Sequence, residues 1–310
     1  MRVVLAAVAL LAAPLAADEA AMLSAWRSWV ERTGIEASSI AIGSGGVVLA
    51  RDGIGMAPDA AAPVASLSKA ITAACVLALV DEGALQLHDR VGALLHDRPD
   101  LVTPGTPGAE IRVDELLTHT SGLAYDGTQT PLNPTLWGGP DDHDKLTRAA
   151  LAEPIGERVF FYNNLNYAVL GSLIMDLTGT SIEAACRPRV LTGLQSAAPN
   201  RRMGGGLAWL GWEISAPDYL LFLMSLDPAA KWPRRATGGD YDYGPGLFLH
   251  DSEAGREFWH SGAVCLVRPM DLGAVARRMD DGWAYVVTYD ACLSDGALRD
   301  LDQSISDAAR

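Results

Sequence analysis

From residue 66 to residue 81 the chain reads SLSKAITAACVLALVD, almost wholly apolar after the Ser66, Ser68 and Lys69 of its first turn. A helix apolar on all sides is buried on all sides, and Gly83 is the natural stop just beyond it. Upstream, two short β-prone runs flank a Gly-Gly pair in SSIAIGSGGVVLAR, residues 38–51, which predicts a hairpin. Helical spacing recurs at 110–118, 144–152, 164–177 and 216–226. After Tyr241 the pattern returns to strands at 258–267, 272–278 and 283–290, with MDDG as the turn between the last two. The closing SDGALRDLDQSISDAAR sets Ala297, Leu298, Leu301 and Ile305 on one helical face.

Strands at both ends with helices between predict an α/β (α+β) fold. The hairpin and the last three strands form an antiparallel five-stranded sheet flanked by N- and C-terminal helices. A mainly helical lobe, residues 66–235, is inserted between the sheet segments 18–65 and 236–310, and the cleft between lobes is the natural site. Residues 1–17 read as a signal peptide: an early arginine, an apolar stretch from Val3 to Ala13, and small residues leading to Ala17. A retained anchor is the alternative. The expected mature protein is therefore exported, periplasmic or secreted, without a stable membrane span. Beyond that segment no run reaches the ~20 apolar residues of a transmembrane helix.

Charge narrows the partners. With 24 basic and 38 acidic residues the net charge is −14, which argues against nucleic acid. Four cysteines, Cys75, Cys186, Cys265 and Cys292, are too widely spaced for a Cys-x-x-Cys motif; export would allow disulfides in any of three pairings, and burial as small apolar residues is the other reading. The six histidines lack metal-ligand spacing.

Only three lysines occur, Lys69, Lys145 and Lys231, and Lys69 falls in the apolar run, three residues after Ser66. That spacing puts both on one helical face. An ammonium group in a dry place loses stability, its pKa falls, and it becomes a base for the serine hydroxyl. A serine cap with a solvated lysine is the simpler alternative. In FFYNNLNYAVLG, Tyr162 precedes a helix starting near Asn164, where the helix dipole favours a phenolate; a core tyrosine and an asparagine cap are the alternatives. In FWHSGAV, Gly262 inside a strand invites a close approach of substrate. The Ala263 N–H, paired with that of Ser66, then forms an oxyanion hole. His260 is otherwise a half-buried strand residue.

Taken in order, SLSK, LLTHTSGL, YNN with LNYAVLG, GGGLAWLGWEISAPDYLLFL and HSG resemble the serine β-lactamase and penicillin-binding-protein superfamily. The similarity is to the branch of class C β-lactamases, D-alanyl-D-alanine carboxypeptidases and related carboxylesterases. The resemblance implies a serine hydrolase with Ser66 as acylated nucleophile and with Lys69 and Tyr162 sharing acid–base work. Asn164 would orient the substrate and hold Lys69, His260 and Ser261 would line the leaving-group side, and His119 and Ser121 would set a turn behind the site. No cofactor or metal is implied, and the partner is a small-molecule or peptidoglycan-type acyl substrate. His260 stands where the family also uses lysine, so a short acyl ester or D-amino-acid peptide is expected over a β-lactam. The alternatives are a class C-like β-lactamase and a non-catalytic sensor of peptidoglycan or β-lactam. The pattern leaves the natural substrate and the oligomeric state open.

Overall fold

The computed structural model describes residues 15–128, 141–266 and 270–309. Residues 1–14 of the expected signal peptide lie outside them. The helices are α1 (Leu15–Thr33), α2 (Ser68–Asp81), α3 (Val91–Leu94), α4 (Val113–Leu117), α5 (His143–Ala152), α6 (Asn164–Thr178), α7 (Ile182–Val190), α8 (Ala216–Ser225) and α9 (Asp295–Ala308). The strands are β1 (Ser38–Ser44), β2 (Val47–Ile54), β3 (Ala61–Pro63), β4 (Ala198–Pro199), β5 (Trp212–Ser215), β6 (Arg235–Ala236), β7 (Asp242–Tyr243), β8 (Phe248–Asp251), β9 (Arg256–Val264), β10 (Leu272–Arg278) and β11 (Trp283–Tyr289).

The α/β expectation holds. β1 and β2 form the hairpin, with Gly45 and Gly46 at φ +60° and +83°, the left-handed values a two-residue hairpin turn requires. β11 joins β1 from Ser38↔Tyr289 to Ser44↔Trp283, and β10 and β9 follow in antiparallel order. The five long strands are those the β-prone runs predict. The full sheet has eight, in the order β2-β1-β11-β10-β9-β8-β7-β6. Two of the three extra strands are only two residues long, too short to show alternation in sequence.

Each face of the sheet has its own core. Ile40, Ile42, Tyr285 and Val287 point outward against Trp26 and Trp29 of α1 and Leu301 and Ile305 of α9. Burying such side chains contributes roughly 1.5–3 kcal/mol each. The Trp29 Nε1 donates to the Ala297 carbonyl at 2.8 Å and ties the terminal helices together. The inner face carries small residues, Ala41, Ala274, Ala276 and Ala284, which let α8 lie close. That helix falls in the stretch assigned to the helical lobe, yet it packs on the sheet. A second sheet, β3-β5-β4, also lies partly within that stretch.

Helix α2 ends as its glycine predicts. Gly83 adopts φ +75°, and the N–H groups of Gly83 and Ala84 return to the carbonyls of Val80 and Leu79. The cysteines are paired as Cys75–Cys186, joining α2 to α7, and Cys265–Cys292, joining the chain after β9 to the chain after β11. By the chain-entropy model these sequence separations of 111 and 27 residues correspond to about 5 and about 4 kcal/mol of stabilisation.

Candidate active site

The segment preceding α2 is held before it is functional. Val64 N–H donates to the Trp212 carbonyl at 3.0 Å, the Trp212 N–H donates to Ser68 Oγ at 3.1 Å, and Tyr219 Oη donates to the Leu67 carbonyl at 2.8 Å. Between these anchors Ala65 adopts φ +45°, a conformation that costs a non-glycine residue energy and persists only when the surroundings enforce it. Ser66 lies in a 3₁₀ turn, residues Ala65–Leu67, immediately before α2. It therefore does not cap the helix: no side chain caps either the turn or α2.

Its hydroxyl meets Lys69 instead, Oγ to Nζ 3.0 Å. Lys69 Nζ also donates to the Trp209 carbonyl at 3.0 Å and lies 4.9 Å from the centre of the Tyr162 ring. The lysine is wholly buried. Burial lowers its pKa from 10.5 to about 7, with the charge of Asp126 pulling weakly the other way. Near neutrality a large fraction of Lys69 is thus a free amine, held on the serine whose proton it would take.

Tyr162 joins the same cluster, but not as a phenolate. Burial raises its pKa, and the hydrogen bond with Ser66 offsets only part of that. The helix-dipole expectation is overturned because desolvation of the phenolate outweighs a partial charge at a helix end. Tyr162 Oη lies 3.4 Å from His260 Nε2.

Asn164 is buried at the first turn of α6, and the cap of that helix is its neighbour Asn163, whose Oδ1 accepts from the Leu165 N–H at 2.8 Å. Asn164 Nδ2 donates to Thr128 Oγ1 at 2.8 Å, while its Oδ1 is buried without a partner among the described residues. The hydrogen bonds of Lys69 go to Ser66 and Trp209, not to Asn164.

Strand β9 forms the opposite wall. Gly262 is where side-chain absence matters: a Cβ there would fall 2.6 Å from both the Ser66 N and the Val64 carbonyl oxygen. What approaches Gly262 is the backbone of Val64 to Ser66. The close approach sets the Ser66 N–H beside the strand that carries the Ala263 N–H. Ser261 and Ala263 point outward and are exposed, whereas His260 is 2% exposed and lies behind the edge it was expected to line. His260 Nδ1 sits 2.6 Å from the Ser261 carbonyl, which accepts only, so Nδ1 carries the proton and Nε2 faces Tyr162 and Tyr243 as an acceptor. Burial, then the charge of Lys69, brings its pKa down to about 3.

His119 and Ser121 make the turn behind the site. His119, at φ +55°, packs at a tilt against the Tyr162 ring, centroids 4.5 Å apart, and accepts from the Asn163 N–H and Asn166 Nδ2. Ser121 Oγ donates to Asn166 Oδ1 at 2.5 Å. Three contributors escaped the sequence: the Trp209 carbonyl, Asp126 and Tyr243. A carbonyl has no residue signature, and Asp126 gives none without its neighbours. A cavity of ≈ 550 Å³ opens beside this wall, between Pro63 and Val264, with Met56, Arg202, Leu272 and Tyr289 around it. Among the described residues no cluster of His, Cys, Asp and Glu could hold a metal ion.

Comparison with known proteins places the arrangement. The chain is 32% identical over 155 residues to "Penicillin-binding protein 4" of Amycolatopsis lactamdurans, covering 48% of this chain and 38% of that one. It is 37% identical over 227 residues to "Protein Rv1367c" of Mycobacterium tuberculosis, covering 56% and 55%. The matches thus span about two fifths to just over half of these relatives. Among solved structures, SurE superposes with TM-score 0.75 at 18% identity over 95% of this chain and 76% of that one. A β-lactamase/D-alanine carboxypeptidase from Pseudomonas syringae gives TM-score 0.75 at 15% identity over 95% and 100%, and D-amino acid amidase from Ochrobactrum anthropi gives 0.72 at 18% over 93% and 100%. These likenesses establish the shared fold. The Beta-lactamase family model matches residues 26–199, more than half of the sequence, and the chain belongs to the β-lactamase family.

Proposed function

We propose that the protein is a serine hydrolase acting through an acyl-enzyme on Ser66. The observation that carries this reading is the 3.0 Å contact between Ser66 Oγ and a wholly buried Lys69 whose pKa falls to about 7. Lys69 as free amine takes the hydroxyl proton while Oγ bonds to the acyl carbon. The carbonyl oxygen, now negative, is received by the N–H groups of Ser66 and Ala263. Tyr162, a neutral phenol, donates a proton to the departing alcohol or amine and is reprotonated through Lys69. Water then attacks the acyl-enzyme, returning Ser66 and the acid product.

Substrate preference follows from His260. It is neutral at physiological pH, and its proton is committed to the Ser261 carbonyl. The third element therefore offers a carboxylate no fixed positive charge, and charge-assisted hydrogen bonds are roughly twice as strong as neutral ones. We infer that short acyl esters or D-amino-acid peptides are preferred over β-lactams. The cavity at Pro63 and Val264, lined by both apolar and charged side chains, gives an acyl group room next to the proposed oxyanion strand. An exported, periplasmic or secreted location is part of the same proposal, supported by the leader pattern of residues 1–17 and by the two disulfides.

The test is a fluorophosphonate or labelled penicillin followed by peptide mapping, beside a panel of short acyl esters, D-alanyl-D-alanine peptides and a chromogenic cephalosporin. One adduct on the Ser66 peptide, lost in Ser66→Ala, is expected, with kcat/KM for the best ester or peptide at least ~100-fold above that for the cephalosporin, about 2.7 kcal/mol. An adduct on Ser121 or Ser261 overturns the nucleophile. Fast cephalosporin turnover without esterase or peptidase activity overturns the substrate class.

A further inference from the structure

His143 is 0% exposed, forms part of no step above, and is wired to the backbone that holds Lys69. It is the first residue of α5. Its Nδ1 lies 2.5 Å from Asp141 Oδ1, which also accepts the His143 backbone N–H at 3.0 Å. The Ala208 N–H donates to the other ring nitrogen, Nε2, at 3.2 Å. A nitrogen that accepts from an amide carries no proton, so the proton sits on Nδ1 and points at the carboxylate. Asp141 thereby fixes the tautomer that lets Nε2 accept.

What Nε2 holds is the peptide next to Trp209. The Ala208 carbonyl accepts from Thr72 Oγ1 at 2.9 Å, and the Trp209 carbonyl accepts from Lys69 Nζ at 3.0 Å. Lys69 and Thr72 are three apart on one face of α2, so the Ala208–Trp209 backbone bridges the lysine's helix on one side and the imidazole on the other. The His143 ring also packs edge-on against Trp209, centroids 4.9 Å apart. Room for that ring is made by Gly171 of α6, where a Cβ would fall 2.2 Å from His143 Cδ2.

We propose that the Asp141–His143 pair is a positioning unit for Lys69, holding the backbone from Ala208 to Trp209 so that the Trp209 carbonyl fixes the lysine on Ser66 and keeps water away from it. The functional importance of Lys69 rests on the serine-hydrolase reading; the placement of its amine does not. Without the imidazole, the Ala208 N–H loses its anchor, the Trp209 carbonyl one residue on swings from Nζ, and water reaches the amine. Because desolvation is the main cause of the lowered pKa of Lys69, hydration moves it back toward 10.5.

The chain has only three lysines, so [ε-¹³C]lysine labelling gives three resonances, and Lys69→Arg identifies that of Lys69. In the full-length protein its midpoint is expected near 7. His143→Asn, whose amide still reaches Asp141 but is too short for Ala208, should raise the midpoint by one unit or more. It should also lower the Ser66 acylation rate ~10-fold or more at pH 7 and leave KM within about twofold. His143→Gln, which places an acceptor near the Nε2 position, should recover most of both, and Asp141→Ala should fall between. A folded His143→Asn protein with unchanged midpoint and rate overturns the proposal, as does loss of rate in Gln and Asn alike without movement of the midpoint. If His143→Asn does not fold, Asp141→Ala against Asp141→Asn decides by the same midpoint. Should the wild-type protein fail to acylate at Ser66, the serine-hydrolase reading falls while the titration still reports on the positioning unit.

Discussion

The two walls of the site work by different means. On the α2 wall, the proposed chemistry is carried by side chains: Ser66 and Lys69 are three residues apart and in contact, and burial desolvates the amine. On the β9 wall, function falls to backbone and to a missing side chain. The Ala263 N–H is the proposed donor, Gly262 lets Ser66 approach, and His260 faces inward and stays neutral. On the helix, residue identity decides; on the strand, register and clearance decide.

The largest expected effect separates activity from stability on the helical wall. Lys69→Met should lower acylation by ~10³-fold or more, since it removes the base. The same change should stabilise the fold at neutral pH. A lysine taken from 10.5 to about 7 binds fewer protons folded than unfolded, so it destabilises the native state by about 5 kcal/mol below pH 7, and this penalty shrinks as pH rises toward 10.5. After loss of two hydrogen bonds, a net gain of about 2–3 kcal/mol should appear in urea denaturation at pH 7. A protein both inactive and less stable would show that Lys69 is not under desolvation strain.

Next comes the strand wall. Gly262→Ala places a methyl group 2.6 Å from the Ser66 nitrogen, which the anchored backbone cannot evade, and it should cut kcat/KM by ~10²-fold through the oxyanion hole. Loss spread evenly between substrates whose oxyanion develops early and late would contradict that cause. Smaller is the pH effect: kcat/KM should fall about tenfold per unit below pH ~7 as Lys69 becomes charged, with no second break at pH 4–6, because His260 remains neutral down to about 3. A break near pH 6.5 removed by His260→Gln would place an ionising imidazole in the reaction. The smallest effect belongs to Ser261→Ala on the exposed edge, expected to change kcat/KM by less than ~10-fold with an ester substrate. A larger loss there would mean that the strand wall, too, acts through a side chain.

The distribution of what was legible follows the same division. Ser66 and Lys69 could be read because a polar pair in an apolar run violates the local pattern, and the five long strands because each is a β-prone run of seven or more residues. The two-residue strands β6 and β7 have no period to detect. Asn163 and Asn164 are both capping residues by composition, and only φ/ψ at the helix start made Asn163 the cap. Tyr162 was placed beside Lys69 by its motif, but its protonation was misjudged because a helix dipole is visible in sequence and burial depth is not.

Sequence alone determined the order and spacing of the reactive elements, the α/β alternation, and the family, since these depend on residues near one another in the chain. Tertiary structure alone decided that Cys75 meets Cys186 and Cys265 meets Cys292. It alone decided that His260 turns its proton to its own strand, that Gly262 gives room to the Ser66 backbone, and that a carbonyl of Trp209 holds Lys69. The reason is physical: desolvation, backbone acceptors and clearance are properties of what surrounds a residue, and those surroundings are assembled from segments 100 or more residues apart, as with Lys69 and Trp209 at a separation of 140.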